Sequence, residues 1–189
     1  MKKVLILLLS LGLLFVSKEA SAQWSAVGGF TSFQYGGKDV DKNDKVSYPG
    51  FFFGVVYDYA FSSIEGLTVE PGLTFSHYGK TITETKLRAN YLNIPVNLKY
   101  SVALAPDLKI GAFTGPRFNI GLGGNLFKSD FGGNKLFDAQ WGLGVALSYL
   151  DAVQLRLSYD YGITKAVHLG DKTLNIRRDC LNVGVGFMF

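Results

Sequence analysis

The sequence is poor in the residues that carry most soluble-protein chemistry. Cys180 is its one cysteine, so no internal disulfide forms even in a compartment that would permit one. Histidine occurs twice, at His77 and His168, and no G-x-S-x-G elbow is present, which leaves no nucleophile–base–orienter set for hydrolytic catalysis. Ser76 and His77 are adjacent, so a strand would send them to opposite faces. Charge is also scarce. The formal net charge is +4, of which Lys2, Lys3 and Lys18 against Glu19 contribute +2. The remaining +2 excludes the basic footprint of a nucleic-acid binder. The longest apolar run, Val4–Val16, is too short to cross a bilayer as a helix. Helical periodicity is missing beyond that run.

What is there begins with "MKKVLILLLSLGLLFVSKEASA". Two lysines, a short apolar core and Ala20-Ser21-Ala22 form the three regions of a secretory signal peptide. Residues 1–22 are therefore expected to be cleaved, leaving one domain over residues 23–189. No cysteine follows the cleavage site to take a lipid anchor.

The rest of the chain alternates apolar and polar residues with period two, the mark of β-strands. Eight segments carry the pattern: 26–33, 51–59, 67–75, 91–100, 110–120, 141–149, 153–161 and 181–189. In the first, Val27, Gly29, Thr31 and Phe33 are read as the apolar face. In the last, Leu181, Val183, Val185, Phe187 and Phe189 form it. No charged residue falls on any of the eight apolar faces. The opposite faces mix glycine with Asp58, Glu70, Lys99, Arg117, Arg156 and Asp160, three acids against three bases. Long polar connections alternate with short ones, as in an even-stranded up-and-down barrel.

Two barrels fit eight such strands. A soluble ligand-binding barrel turns its apolar face inward, and an outer-membrane barrel turns it outward. A glycine-rich, charge-balanced face suits a narrow lumen better than a solvated exterior. Tyr59, Tyr100, Tyr149 and Phe189 end alternate strands on the apolar face, as an aromatic girdle at the periplasmic interface would. Phe33, Phe51, Phe75, Phe118, Trp141 and Tyr161 are the candidates for the second girdle. The expected fold is an all-β, eight-stranded antiparallel up-and-down transmembrane β-barrel in the bacterial outer membrane. Its last strand must bond to its first, because an open edge is not tolerated in lipid. Pro71, Pro95 and Pro116 lie within strands and resist this reading; a local bulge is the expected accommodation.

"YLNIPVNLKY" at 91–100 resembles the Ile-Pro strand of the PorT-like outer-membrane β-barrel proteins of Bacteroidota. "GAFTGPRFNI" at 111–120 and "LRLSYDYGIT" at 155–164 are similar to that family's fifth and seventh strands. The resemblance implies the OmpA/OmpX-like eight-stranded fold. It leaves function open, with an accessory role in protein secretion as one reading. The terminal Leu181–Phe189 alternation is similar to the signal that outer-membrane proteins present to their insertion machinery.

Other constellations are weaker. Asp39, Asp41 and Asn43 open like a calcium loop, but Asp44 stands where Gly is needed and Gly50 where Glu is needed. The long connections hold twelve basic residues against eight acidic ones, Asp138 and Arg178 included. That excess suits lipopolysaccharide phosphates or a protein partner at the extracellular end. The expected protein is a non-enzymatic, non-porin anchor with no cofactor. An outer-membrane lipid-modifying enzyme is the competing catalytic reading and would place His77 or His168 at the long-loop end.

Overall fold

The computed structural model describes residues 22–38, 40, 46–61, 63–82, 85–127, 133–169, 172–173 and 175–189. Of the expected leader only Ala22 lies among them, and Asp39, Asp41 and Asn43 lie outside. Eight long strands close a barrel: β1 (Ala22–Gly37), β2 (Ser47–Ala60), β3 (Leu67–Ile82), β4 (Thr85–Ala105), β5 (Leu108–Gly123), β6 (Phe137–Tyr149), β7 (Val153–Gly162) and β8 (Ile176–Met188). Each pairs antiparallel with the next, and β8 returns to β1 from Ser25↔Met188 to Gly37↔Ile176. Phe189 extends the closure, its backbone N–H donating to the Trp24 carbonyl at 2.9 Å. A wall closed this way leaves no open strand edge in the hydrocarbon.

The apolar faces of β2 to β8 point outward, as the alternation predicts. Leu143, Val183 and Phe187 are exposed on the wall, while Asn93, Asn97, Gln140 and Asn182 are buried inside. A soluble barrel would show the reverse, so that alternative is set aside. β1 corrects the expectation. Its outward residues are Trp24 and Phe30, the latter 78% exposed, whereas Val27, Thr31 and Phe33 are buried in the lumen. Gly28 and Gly29 sit mid-strand and blur the contrast between the two phases. Phe33 therefore belongs to no girdle; it packs inside against Tyr48 and Tyr78.

Lumen glycines make room for rings. A Cβ on Gly144 would sit 2.3 Å from the Phe113 ring, and one on Gly184 would sit 2.7 Å from the Phe52 ring. An eight-stranded interior is just wide enough for side chains, so bulk on one strand requires absence on another.

The prolines are accommodated without bulges. The β2–β3 ladder skips from Val56↔Gly72 to Tyr59↔Val69 past Pro71, and the register is unchanged on the far side. The β3–β4 ladder does the same past Pro95, and the β4–β5 ladder past Pro116. Each proline thus omits its missing donor from one ladder and leaves the strand continuous. The only irregularities between β4 and β5 fall at Asn90/Tyr91 and Ala103/Ala105, away from all three.

The long polar connection expected between the third and fourth segments, roughly 77–90, is instead strand pairing that continues to Ile82↔Thr85. At about ten residues per crossing, β3 and β4 project beyond the bilayer. They are held there by Tyr78, Ala89 and Tyr91 packing on Phe33 and Tyr48. Beside them, Gly133–Asn134, Val167–Leu169 and Lys172–Thr173 form a small antiparallel sheet over the same mouth. The opposite end has tight turns. Between β6 and β7, Leu150 and Asp151 both adopt positive φ (54° and 49°) and Ala152 N–H closes onto the Tyr149 carbonyl, which is a type I′ hairpin turn.

Candidate functional site

The lumen is filled by side chains in three charge-neutral layers. Nearest the short turns, Lys99 Nζ donates to both Asp58 oxygens at 2.6 and 2.7 Å and to Glu70 Oε2 at 3.1 Å. Arg156 approaches Glu70 bidentately at 2.7 and 2.5 Å, and Asn97 Nδ2 adds a third donor at 3.0 Å. Glu70 is fully buried. Such a carboxylate persists only with this degree of compensation. The Arg156 guanidinium also lies over the Phe113 ring, 4.6 Å from its centroid.

The middle layer joins Arg117 to Asp160 at 2.8 Å. Asn182 donates to Asp160 at 2.6 Å and to Ser158 at 3.1 Å, and accepts from Thr31 at 2.6 Å. A Cβ on Gly142 would fall 2.7 Å from the Asp160 carboxylate, so that glycine clears the space the acid occupies. Between these two layers lies a cavity of about 30 Å³, lined by Phe52, Pro95, Phe113, Arg117 and Arg156. That is room for about one water molecule, not a channel.

The third layer was not anticipated. Asp138 and Arg178, assigned by sequence to the long loops, lie inside the wall at the long-loop mouth, 2% and 1% exposed. Arg178 Nε and Nη2 donate to Asp138 at 3.0 and 3.2 Å. The guanidinium stacks on Tyr91, 3.8 Å from the ring centroid, with the Phe33 and Tyr78 rings 5.7 Å away. Asn119 donates to Asp138 and Gln140, and Gln140 donates to the Arg178 carbonyl and to Cys180 Sγ. The signal was present: Arg178 shares the phase of Cys180 and Asn182, and Asp138 that of Gln140. Two further inward steps from the 141–149 and 181–189 segments reach the pair.

Above this layer, side chains reach over the mouth. Asn134 enters from the small sheet, accepts from Tyr35 Oη at 2.7 Å and donates to Tyr91 Oη at 2.9 Å. Phe127 packs on Tyr91 with ring centroids 5.3 Å apart.

On the exterior, Tyr59, Tyr100, Tyr149 and Phe189 lie on the outward phase at the short-turn end, Phe189 being 75% exposed. Leu181, Val183, Val185 and Phe187 share that face. Phe51, Phe118, Trp141 and Tyr161 stand outward toward the other end. His77 is also outward. Its Nδ1 lies 2.7 Å from Asn90 Oδ1 and its ring 5.3 Å from Phe51, while Ser76 is buried in the lumen against Asn93. The serine and the histidine are on opposite sides of the wall, so they form no dyad. The side chain of His168 lies outside the described residues. Among the described residues, no cluster of histidine, cysteine and acidic side chains is placed to hold a metal ion.

Solved structures share this architecture. The outer membrane enzyme PagL superposes with a TM-score of 0.58 at 11% identity, covering 88% of this chain and 99% of that one. The outer membrane protein OprG of Pseudomonas aeruginosa gives 0.51 at 12% identity, covering 90% and 97%. The attachment invasion locus protein Ail of Yersinia pestis gives 0.48 at 13%, covering 89% and 99%. At such identities the likeness is one of fold. No curated protein is similar enough in sequence to count as a relative. The family model for the outer membrane protein beta-barrel domain matches residues 6–189. The chain belongs to the outer membrane protein beta-barrel domain family, and its place is the bacterial outer membrane.

Proposed function

We propose that this protein is a non-conducting membrane anchor whose long-loop end contacts lipopolysaccharide or a protein partner. The observation that carries the first half is the filled lumen: three neutral layers of paired side chains, with Asn134 bridging Tyr35 and Tyr91 above them. Pure protein in planar bilayers is expected to show no stable, porin-sized openings. Large steady conductance from every preparation would overturn it.

The second half rests on charge. Moving the balanced Asp138–Arg178 pair from the loops into the lumen leaves the basic excess of the long-loop end unchanged, and Lys38 and Lys165 stay exposed there. A basic rim favours phosphate-bearing lipids or acidic protein surfaces. A pull-down from detergent-solubilised outer membranes is the direct way to separate the two. Within the family, the 91–100 Ile-Pro strand supports a PorT-like branch from Bacteroidota and, with it, an accessory role in secretion as the runner-up. The leader at 1–22 fits export to that compartment.

In this reading the last strand has a second task. The insertion machinery captures an unpaired terminal strand by β-augmentation and reads its alternate side chains. Deleting Phe189 is expected to reduce assembly in cells more than it weakens barrel refolded in detergent. Normal assembly of the deletion would reduce Phe189 to an interfacial aromatic.

A further inference from the structure

On the outside of the barrel, one stretch of wall departs from the apolar rule. Across β2, β1, β8 and β7, near the long-loop end, lies a hollow of about 270 Å³ lined by Ser32, Gln34, Ser47, Tyr159, Asp179 and Leu181. The cross-strand register places these residues side by side: Ser47 opposite Gln34, Gln34 opposite Asp179, Ser32 opposite Leu181, and Leu181 opposite Tyr159. Ser32 and Ser47 hydroxyls bond to each other at 2.6 Å. Asp179 accepts from the Gly162 backbone N–H at 2.9 Å. One row deeper on the same strands, the wall is Phe30, Val183 and Leu157, all outward and apolar.

We propose that this hollow seats the sugar head group of a membrane glycolipid, whose acyl chains lie along Phe30, Val183 and Leu157. At the edge of the hydrocarbon, polar side chains on the wall face lipid head groups rather than acyl chains. A concave polar patch continuous with an apolar strip therefore fits an amphiphile, polar part in the hollow and tail on the strip. Its size is at the small end of ligand sites and suits a single hexose-sized group. Tyr159 and Tyr161 stand at the level where aromatic side chains mark the interface.

The chemistry selects a saccharide over a phosphate. The lining supplies hydroxyls, an amide and a carboxylate, which exchange hydrogen bonds with sugar hydroxyls. The cation beside it, Arg177, lies with its guanidinium 4.0 Å over the Tyr161 ring and its Nε at ion-pair distance, 3.6 Å, from Asp179, which partly offsets its charge. A phosphate placed in the hollow would face the Asp179 carboxylate. The proposal rests on the lipid-contact reading above, in that the long-loop end faces the glycolipid leaflet, and it adds a site on the wall distinct from the basic loops.

The test uses the full barrel in detergent and native mass spectrometry with three probes: lipopolysaccharide carrying a short core, its free core oligosaccharide, and phosphatidylglycerol. The conservative variants are Tyr159→Phe and the double change Ser32→Ala with Ser47→Ala, which leave the Asp179–Gly162 contact in place. Lys38→Ala with Lys165→Ala probes the loops. The expected result is retention of the glycolipid over both other probes, weakened about tenfold by the hollow variants, as for loss of one or two hydrogen bonds, and less by the loop variant. Glycolipid retention that responds to the loop variant and ignores the hollow variants would overturn the wall site and leave the loop reading standing. Retention of phosphatidylglycerol as strongly as glycolipid would overturn the saccharide assignment. No glycolipid retention at all would overturn both readings.

Discussion

Replacing Arg156 by Leu is expected to destabilise the barrel by about 3–5 kcal/mol, the cost of breaking a buried ion pair from one side. Glu70 would lose its bidentate partner and share Lys99 with Asp58, turning a neutral layer into one with an unbalanced negative charge. The double change Arg156→Leu with Glu70→Gln leaves Lys99 and Asp58 as a complete pair 2.6 Å apart. It should therefore cost less than the two single changes summed. Urea unfolding from lipid bilayers measures all three variants, and strict additivity would refute a coupled layer. Arg117→Leu is the internal comparison. Among the described residues Arg117 forms an ion pair with Asp160 alone, its side chain is 17% exposed, and Asp160 keeps its bond from Asn182. Its loss should fall below that of Arg156.

A lysine at Val183 is the second large effect. Val183 points outward from the middle of β8, half exposed, between Phe30 on β1 and Leu157 on β7. Lysine on the lipid face near the bilayer midplane costs about 2–4 kcal/mol, falling to about 0–1 kcal/mol near an interface. Phe189→Lys, at the strand's end, should therefore cost far less in the same refolding assay, and Val185→Lys should fall between them. Equal penalties at 183 and 189 would mean that β8 does not span the bilayer in this orientation.

These two effects separate what alternation can and cannot reveal. The period-two pattern of β2 to β8 determined the strands, their two faces and the closure of the wall, because lipid outside and packed polar groups inside impose opposite demands on successive residues. It also picked out Asp58, Glu70, Lys99, Arg117, Arg156 and Asp160, since an isolated charge between apolar neighbours on a strand has only the lumen to enter. Which of them pair was not legible. Arg156 of β7 reaches Glu70 of β3 across the barrel, and Arg117 of β5 reaches Asp160 of β7, contacts set by shear and by how far each side chain extends.

Alternation failed where its physical basis weakened. In β1 the Gly28–Gly29 pair carries no side-chain contrast, and the phase was decided by what Phe33 and Thr31 meet inside: Tyr48, Tyr78 and Asn182. At the long-loop mouth the strands run on past the hydrocarbon, where no lipid enforces the outward apolar rule. Asp138 and Arg178 look like loop charges there, until the aromatic rings of β1, β3 and β4 converge around them. The sequence by itself determined a membrane barrel and its polar lining, because each depends on a residue's immediate neighbours along one strand. Only the tertiary structure decided the three neutral layers, the Asn134 bridge and the polar hollow on the outer wall, because each is assembled from strands distant in sequence and adjacent only once the barrel has closed.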